Sequence, residues 1–295
     1  MKNYNKLILA TMVVGLSVGC AKKNDSETSV DPVEATLESG ISVISGMADD
    51  QAGSSFAKSE ATIPSIWDAL LPQKAIASGS CTRAVLSSCS SSQRRAVHSS
   101  CQLGSSLVTL SGEVTLTYSQ ASCLLSGAGD SVVRSYDLEY EGPRGATLNL
   151  SSAIQSDYRG TSFGGGGRLT RTASGYDLDV LGRHSRLVGP RGGEIYDLSV
   201  RTLSPLGISG GLSRSSRTVN GGSLEVNHNL AGFTAVFTPS NLQWSASCCH
   251  PISGSMTVNY SGSKMGSATV SFNGCGSAEV NQDGQTQTVE FSYCE

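Results

Sequence analysis

The cysteines are the residues of this chain that could do the most chemistry, because thiols form disulfides and bind soft metal ions. The 295 residues contain nine of them, and one, Cys20, stands alone near the start. The other eight form two clusters of four: Cys81, Cys89, Cys101 and Cys123, then Cys248, Cys249, Cys275 and Cys294. An even number of cysteines predicts disulfides in an exported protein. The wide gap between the clusters predicts that each pairs within itself.

Three pairings are open within each cluster of four. Cys248 and Cys249 are neighbours and should point to opposite faces of a strand, so each is expected to bond to Cys275 or Cys294. A period of two places Cys275 and Cys294 on the polar faces of their strands. A zinc or copper site that includes His250 is the alternative. It is disfavoured because the chain has no Cys-x-x-Cys pair here and an oxidising compartment would oxidise the thiols, so no cofactor is expected.

Patterns typical of catalysis are weak. Ser209 lies in Gly207-Ile-Ser-Gly-Gly211, which has the letters of a nucleophile elbow, but that motif needs a strand before it and a helix after it. None of the four histidines has an acid or a nucleophile at a spacing typical of a triad. His228 is in phase with apolar Leu224 and Val226, which predicts a structural, hydrogen-bonded histidine. The sequence favours a protein that is not an enzyme, and a hydrolase is the alternative.

Arginines dominate the basic residues in the middle of the chain, where His184 is the one exception between Arg134 and Arg217. Planar guanidinium groups bind phosphate and carboxylate. Five of them are candidate anion-binding residues: Arg168, Arg171, Arg183, Arg186 and Arg201. Acids are interspersed, so cross-strand ion pairs are the competing interpretation, and anion binding requires arginines on one face without acidic partners. A net charge of -3 and few aromatic residues disfavour nucleic acid as a partner.

Residues 1–19 predict a signal peptide. Lys2 and Lys6 make a charged start, and a largely apolar run follows from Leu7 to Val18. This run is too short to span about 30 Å of hydrocarbon, but it has the length of a signal-peptide core. The segment is therefore expected to direct export and then to be removed.

The end of this segment, Leu16-Ser-Val-Gly-Cys20, resembles the lipobox of bacterial lipoproteins. In that family the cysteine receives a diacylglyceryl group and becomes the mature N-terminus, so the resemblance implies lipidation of Cys20. Ser17 departs from the pattern, because the family usually has an aliphatic residue there. Ala21 stands where an aspartate would be the usual sign of retention at the inner membrane, which implies the outer membrane. Several acyl chains would make the anchoring effectively permanent.

The remaining chain divides by composition into three parts. Residues 20–60 are rich in Gly, Ser, Asp and Glu, which predicts a lipidated N-terminus followed by a flexible tether. Residues 61–80 predict a short helix and a connection, since Pro64 suits a helix start and apolar residues follow at helical spacing. Residues 81–295 predict a single antiparallel β domain.

The prediction of an all-β fold depends on segments of five to eight residues that alternate apolar and polar side chains. The inward-facing residues of three such segments are Val114, Leu116 and Tyr118, then Met256, Val258 and Tyr260, and finally Ala268, Val270 and Phe272. Hairpin turns are predicted at Ser261–Gly266 and Asn281–Gly284. The long Val/Ile/Leu runs of buried parallel strands are absent, so the sheet is expected to be antiparallel.

Two short motifs recur and predict repeated hairpins. Tyr136–Tyr140, Tyr176–Val180 and Tyr196–Val200 share the letters Tyr-Asp-Leu, and Gly142–Gly145 and Gly189–Gly192 are both Gly-Pro-Arg-Gly. A period near twenty residues suits one hairpin stacked beside the next in an extended meander or open sheet. A β-solenoid is the alternative.

The late part of the chain resembles uncharacterised β-rich outer-membrane lipoproteins in its strand and turn patterns, at Val219–Asn229, Asn241–Trp244, Cys248–Gly254 and Phe272–Gly276. The resemblance implies a fold but no activity. Together with the lipobox it implies a membrane-anchored lipoprotein of the cell envelope that acts as a structural or binding module. The alternatives are a cell-envelope hydrolase and a module that binds an anionic glycolipid or a cell-wall polymer through an arginine face.

Overall fold

The computed structural model of the chain describes residues 36–37, 39–41, 87–102, 108–142, 144–248 and 250–291. Seventeen strands follow one another in this part of the chain. They are β1 (Gln93–Gln102), β2 (Thr109–Tyr118), β3 (Ser131–Glu141), β4 (Thr147–Ser151), β5 (Gln155–Ser156), β6 (Ser162–Phe163), β7 (Gly166–Arg171), β8 (Gly175–Val188), β9 (Glu194–Ser204), β10 (Leu206–Ser209), β11 (Thr218–Asn220), β12 (Ser223–His228), β13 (Phe233–Gln243), β14 (Ser253–Gly262), β15 (Gly266–Phe272), β16 (Ser277–Gln282) and β17 (Gln285–Glu290).

Fifteen of the described strands form one antiparallel sheet, and β5 and β6 form a separate hairpin. Strands β1 to β3 lie side by side at one edge and β13 to β17 at the other. In the middle, β8 is long enough to have two partners on each side, β4 and β7 on one and β9 and β10 on the other. The predicted antiparallel meander is confirmed. The solenoid alternative is wrong, because hairpin neighbours pair antiparallel here instead of stacking as parallel coils.

Alternation along the strands divides the sheet into two faces. In β14, Met256, Val258 and Tyr260 are buried while Thr257 and Asn259 are exposed. Its neighbour β15 continues the pattern, since Val258 lies opposite Ala268. We call the apolar side of the sheet the inner face and the other side the outer face.

The inner face forms one continuous apolar core that includes side chains from β2 to β16. Val114, Leu169 and Val258 are 0 % exposed. Each such burial contributes about 1.5 to 3 kcal/mol relative to exposure. Arg217 is buried at the same side, with its Cζ atom 4.4 Å from the centroid of the Trp244 ring.

The repeated motifs are strands and turns of the same kind, as predicted. The three Tyr-Asp-Leu segments lie in β3, β8 and β9. In each Gly-Pro-Arg-Gly turn the last glycine donates its N–H to the carbonyl of the first at 2.9 Å, from Gly145 to Gly142 and from Gly192 to Gly189. Gly145 and Gly192 have φ values of 78° and 82°, a left-handed conformation that glycine adopts without strain. These turns close hairpins β3–β4 and β8–β9.

A helix lies where the sequence predicted a flexible tether. Residues 36–37 and 39–41 are helical, and Leu37 and Ile41 are 3 % and 2 % exposed within the core. These two side chains are four residues apart, so they share one helix face. A Cβ atom at Gly40 would lie 3.4 Å from Leu224, which places the helix against β12. The tether interpretation is therefore wrong for these residues; the helix predicted within residues 61–80 lies outside the described residues.

Two disulfides join pairs of described cysteines, one pair near each end of the sheet. Cys89 bonds to Cys123, and Cys248 bonds to Cys275. Cys101 is also disulfide-bonded. The predictions that each cluster pairs within itself and that Cys248 bonds to Cys275 or Cys294 hold for these bonds. Of the other candidates, Cys81, Cys249 and Cys294 lie outside the described residues.

The position of Cys275 differs from the prediction. It lies in the turn between β15 and β16 and not on a strand face. The glycines on either side of it, Gly274 and Gly276, have positive φ values of 152° and 79°, which break the extended backbone there. The bond to Cys248 thus joins this turn to the segment that follows β13.

Candidate functional site

The centre of the outer face holds a row of buried polar side chains. His184, Ser199, Asn227 and Thr234 are partners across β8, β9, β12 and β13. Their exposed fractions are 9 %, 1 %, 2 % and 1 %. Polar side chains on the outer side of a sheet are buried only when another segment covers them. Here that segment is the β5–β6 hairpin.

The hairpin contacts the row at both ends. The hydroxyl of Tyr158 lies 3.0 Å from Oγ1 of Thr234, and the Phe163 ring lies 6.3 Å from the His184 ring. Near Phe163, a Cβ atom at Gly182 would lie 2.0 Å from the backbone nitrogen of Gly164. Any side chain at position 182 would clash with this backbone, so the glycine lets the hairpin lie directly against β8.

The turn of this hairpin is formed by its own aspartate. Oδ1 of Asp157 accepts hydrogen bonds of 2.9 Å from the backbone N–H groups of Arg159 and Thr161. An aspartate that bonds the backbone two residues on is the usual Asx-turn arrangement. It directs the Arg159 side chain down onto β12.

Glu225 of β12 is the centre of a charged group on the outer face. Its Oε1 atom accepts hydrogen bonds of 2.8 Å from Arg159 and 2.8 Å from Arg201, and one of 3.2 Å from Asn227. Arg159 also donates to Oδ2 of Asp157 at 2.8 Å. We call these five residues the polar cluster.

The charges of the polar cluster compensate each other. Burial opposes ionisation of Glu225, but the hydrogen bonds from Arg159 and Asn227 and the charge of Arg201 outweigh it and hold the pKa of Glu225 below its usual value. Burial also opposes the charge on Arg159, but its bonds to Asp157 and Glu225 outweigh this effect and raise its pKa. Glu225 and Arg159 are thus charged at neutral pH, and each member of the polar cluster is bonded to another member.

A histidine and an aspartate meet beside the polar cluster. Nε2 of His184 lies 2.8 Å from Oδ1 of Asp197, which also accepts a hydrogen bond from Asn229. Asn229 in turn accepts the backbone N–H of Tyr158 at 2.9 Å. Burial raises the pKa of Asp197, but the bonds from His184 and Asn229 outweigh it, so the pKa is lowered overall.

This pair could not be predicted from the spacing of the residues, because the sequence has no acid near any histidine at a triad spacing. The Gly-Pro-Arg-Gly turn at 189–192 indicates the β8–β9 hairpin, but a register shift between Leu187 and Val188 sets the final pairing of the two strands. That register sets His184 opposite Ser199 and Arg186 opposite Asp197. Cross-strand neighbours are close in space even when they are far apart in sequence.

Serine, histidine and aspartate therefore meet on one face, but not as a catalytic triad. Ser199 is 1 % exposed, and its Oγ makes no hydrogen bond with the described residues. Nε2 of His184 is already bonded to Asp197. A general base must bond to the nucleophile, and the nucleophile must reach the substrate. Neither condition holds among the described residues, and the bond from His184 to Asp197 joins β8 to β9.

The five candidate anion-binding arginines do not form a free cationic face. Arg168, Arg186 and Arg201 lie on the outer face, where each pairs with an acid: Asp179, Glu194 and Glu225. The other two have inward positions. Arg171 donates to the backbone carbonyl of Leu125 at 2.7 Å, and Arg183 lies opposite buried Val200. The condition on which anion binding depended is not met, and cross-strand pairing is the better account.

Other candidate residues occupy structural positions. Ser209 ends β10 and is followed by turn glycines, without the helix of a nucleophile elbow. His228 is 3 % exposed, stacks on Phe233 with centroids 5.4 Å apart, and its Nδ1 accepts the Ala231 N–H, so its predicted structural role is confirmed. His250 packs on the ring of Phe291. Within the described residues no group of three or more His, Cys, Asp or Glu side chains could hold a metal ion.

Comparison with known proteins adds no relative. No family model, no curated protein and no solved structure matches the chain. The resemblance to bacterial lipoproteins therefore stays a prediction from the residues that carry it. Among the described residues, no helix is long and apolar enough to cross a membrane.

Proposed function

We propose that the chain is a lipoprotein of the outer membrane, anchored through an acylated Cys20, whose β domain is a structural or binding module of the cell envelope. The observation that carries this proposal is the pairing of Cys89 with Cys123 and of Cys248 with Cys275. Disulfides of this kind persist in exported proteins and are rare in reducing compartments. They agree with the export signal and lipobox at residues 1–20.

The bonds that the ionisable groups make with one another favour a structural or binding module over an enzyme. The acids and arginines of the polar cluster bond to each other, and the serine beside His184 is buried. A general acid or base has to reach the substrate within hydrogen-bond distance. These groups instead hold the β5–β6 hairpin against the sheet, which suits a rigid platform.

Metabolic labelling with palmitate tests the anchor. The intact chain, expressed in a Gram-negative host, should incorporate the label and fractionate with the outer membrane. Cys20→Ala should abolish both. Ser17→Leu is the matched control, because it restores the aliphatic residue of the lipobox and should preserve labelling. Equal labelling of the Cys20→Ala chain would contradict the proposal.

A further inference from the structure

Three exposed apolar side chains lie on neighbouring turns of the described structure. Among the described residues seven large apolar side chains are exposed, and three of them belong to turns that hydrogen-bond to one another: Tyr158 at 37 %, Leu230 at 47 % and Met265 at 77 %. Tyr158 is in the β5–β6 turn, Leu230 is in the β12–β13 turn and Met265 is in the β14–β15 turn. We call these three turns together the apolar tip.

Direct contacts hold the apolar tip together. The backbone N–H of Ser263 donates to the carbonyl of Gly232 at 3.0 Å, which joins the β14–β15 turn to the β12–β13 turn. Tyr158 bonds to Asn229 and Thr234, which joins the β5–β6 turn to the same hairpin. Hydrogen bonds between the turns therefore hold the three exposed side chains near one another.

A cation lies among these side chains. Lys264 precedes Met265, and its Nζ is 4.5 Å from the centroid of the Tyr260 ring. Lys264 makes no ion pair with any described residue. Methionine and leucine side chains beside a tyrosine and a lysine are the combination that suits a lipid interface, where the apolar parts enter the acyl region and the amine stays at the headgroups.

We propose that the apolar tip inserts into the surface of the phospholipid bilayer that carries the lipid anchor, an inference that rests on the proposed acylation of Cys20. The small size of the patch favours lipid over protein. A stable protein interface buries about 800 Å² on each partner, which three turn side chains do not provide. Shallow insertion of a few apolar side chains is sufficient when an anchor already holds the protein at the surface.

The length of the chain allows the contact. Sixteen peptide steps lead from Cys20 to Thr36 and reach at most about 55 Å when extended. The helix that contains Thr36 packs through Gly40 against Leu224 of β12. From Leu224 to Leu230 the chain covers only about 20 Å at the rise of a strand. The anchor can therefore hold the apolar tip at the bilayer surface.

Quenching by brominated lipids tests this contact in the acylated, mature protein. Met265→Trp is reconstituted in vesicles of phosphatidylethanolamine and phosphatidylglycerol that carry bromine on their acyl chains. Leu203→Trp is the matched control, because Leu203 is 53 % exposed but lies near the far end of β9. We expect quenching of Met265→Trp to exceed that of Leu203→Trp by about twofold or more. Adding Leu230→Asn to Met265→Trp should reduce the quenching.

Flotation of the vesicles separates the two proposals. Protein that floats but shows equal quenching for Met265→Trp and Leu203→Trp would overturn tip insertion and leave the anchor intact. Protein that does not float would overturn the anchor and with it this inference. Blue-shifted emission of Met265→Trp whose intensity is the same with and without bromine would show burial against protein, which also overturns insertion.

Discussion

Arg159 donates a hydrogen bond of 2.8 Å to Glu225, which lies 66 residues further along the chain. The bond connects the turn of the β5–β6 hairpin to the centre of the sheet. Because Glu225 also accepts from Arg201, one carboxylate joins the hairpin, β9 and β12. The covering of the outer face depends on this carboxylate.

Removing the charge of Glu225 should destabilise the fold. Glu225→Gln would leave two arginines near a neutral amide, and we expect a loss of about 2 to 4 kcal/mol in the free energy of unfolding, measured by urea titration. Glu194→Gln is the matched control, since Glu194 forms a more exposed pair with Arg186. It should cost less than about 1 kcal/mol. Equal losses for the two variants would contradict the central role of Glu225.

Acid should destabilise the fold below about pH 4. The pKa values of Asp157, Asp197 and Glu225 are lowered in the folded state, so the unfolded state binds more protons in this range. Their stabilisation is present above the unfolded pKa values of about 4 and is lost as the pH falls through the folded values. Urea titrations between pH 6 and pH 3 measure the slope. The slope should be smaller in Glu225→Gln, and an unchanged slope would contradict the assignment.

A second, weaker pH dependence should begin near neutrality. Burial lowers the pKa of His228, so protonation favours the unfolded state below its unfolded pKa of about 6.5. Stability should therefore fall as the pH drops below 6.5 and level off below the folded pKa. His228→Phe should reduce this slope, while the remaining part comes from His98, whose pKa burial also lowers. An unchanged or steeper slope in the variant would contradict a buried, neutral His228.

The disulfide between Cys248 and Cys275 should contribute strongly to stability. It closes 27 residues of chain, which predicts about 3 to 4 kcal/mol through the entropy of the unfolded state. The double variant Cys248→Ala and Cys275→Ala should lower the melting temperature measured by calorimetry. The same change at Cys89 and Cys123, which are 34 residues apart, should have a similar effect. An unchanged melting temperature in both double variants would contradict a stabilising role for the two disulfides.

The helical residues 36–37 and 39–41 should be part of the folded domain. Ile41→Ala removes a side chain that is 2 % exposed and should cost about 2 to 4 kcal/mol in unfolding free energy. Leu203→Ala, at an exposed position, should change stability by less than about 0.5 kcal/mol. If both variants unfold at the same urea concentration, the helix does not pack on the sheet as described.

Much of the sheet could be predicted because its local patterns agree with its tertiary contacts. In β2, β14 and β15 the alternation of apolar and polar residues matches the inner and outer faces. The Gly-Pro-Arg-Gly turns indicated two of the hairpins because the turn geometry requires glycine at the position of positive φ.

Other features could not be predicted because they depend on long-range contacts or on one extra residue. In β8, Val180 and Gly182 pair with consecutive residues of β7, so Leu181 is a bulge that reverses the alternation. After the bulge, Ser185 and Leu187 are buried. The bulge places Arg183 inward and His184 outward, which the simple period could not show. No periodic pattern in the sequence indicated that the β5–β6 hairpin covers the outer face.

The most direct test of the account is the intact mass of the protein extracted from native membranes without reduction. The account predicts a mass that begins at Cys20, includes acyl chains, and is lower by two hydrogens for each disulfide, those of Cys89 with Cys123 and of Cys248 with Cys275 among them. A mass that retains residues 1–19, or one that shows free thiols and no acyl chain, would contradict a lipid-anchored module held by disulfide bonds.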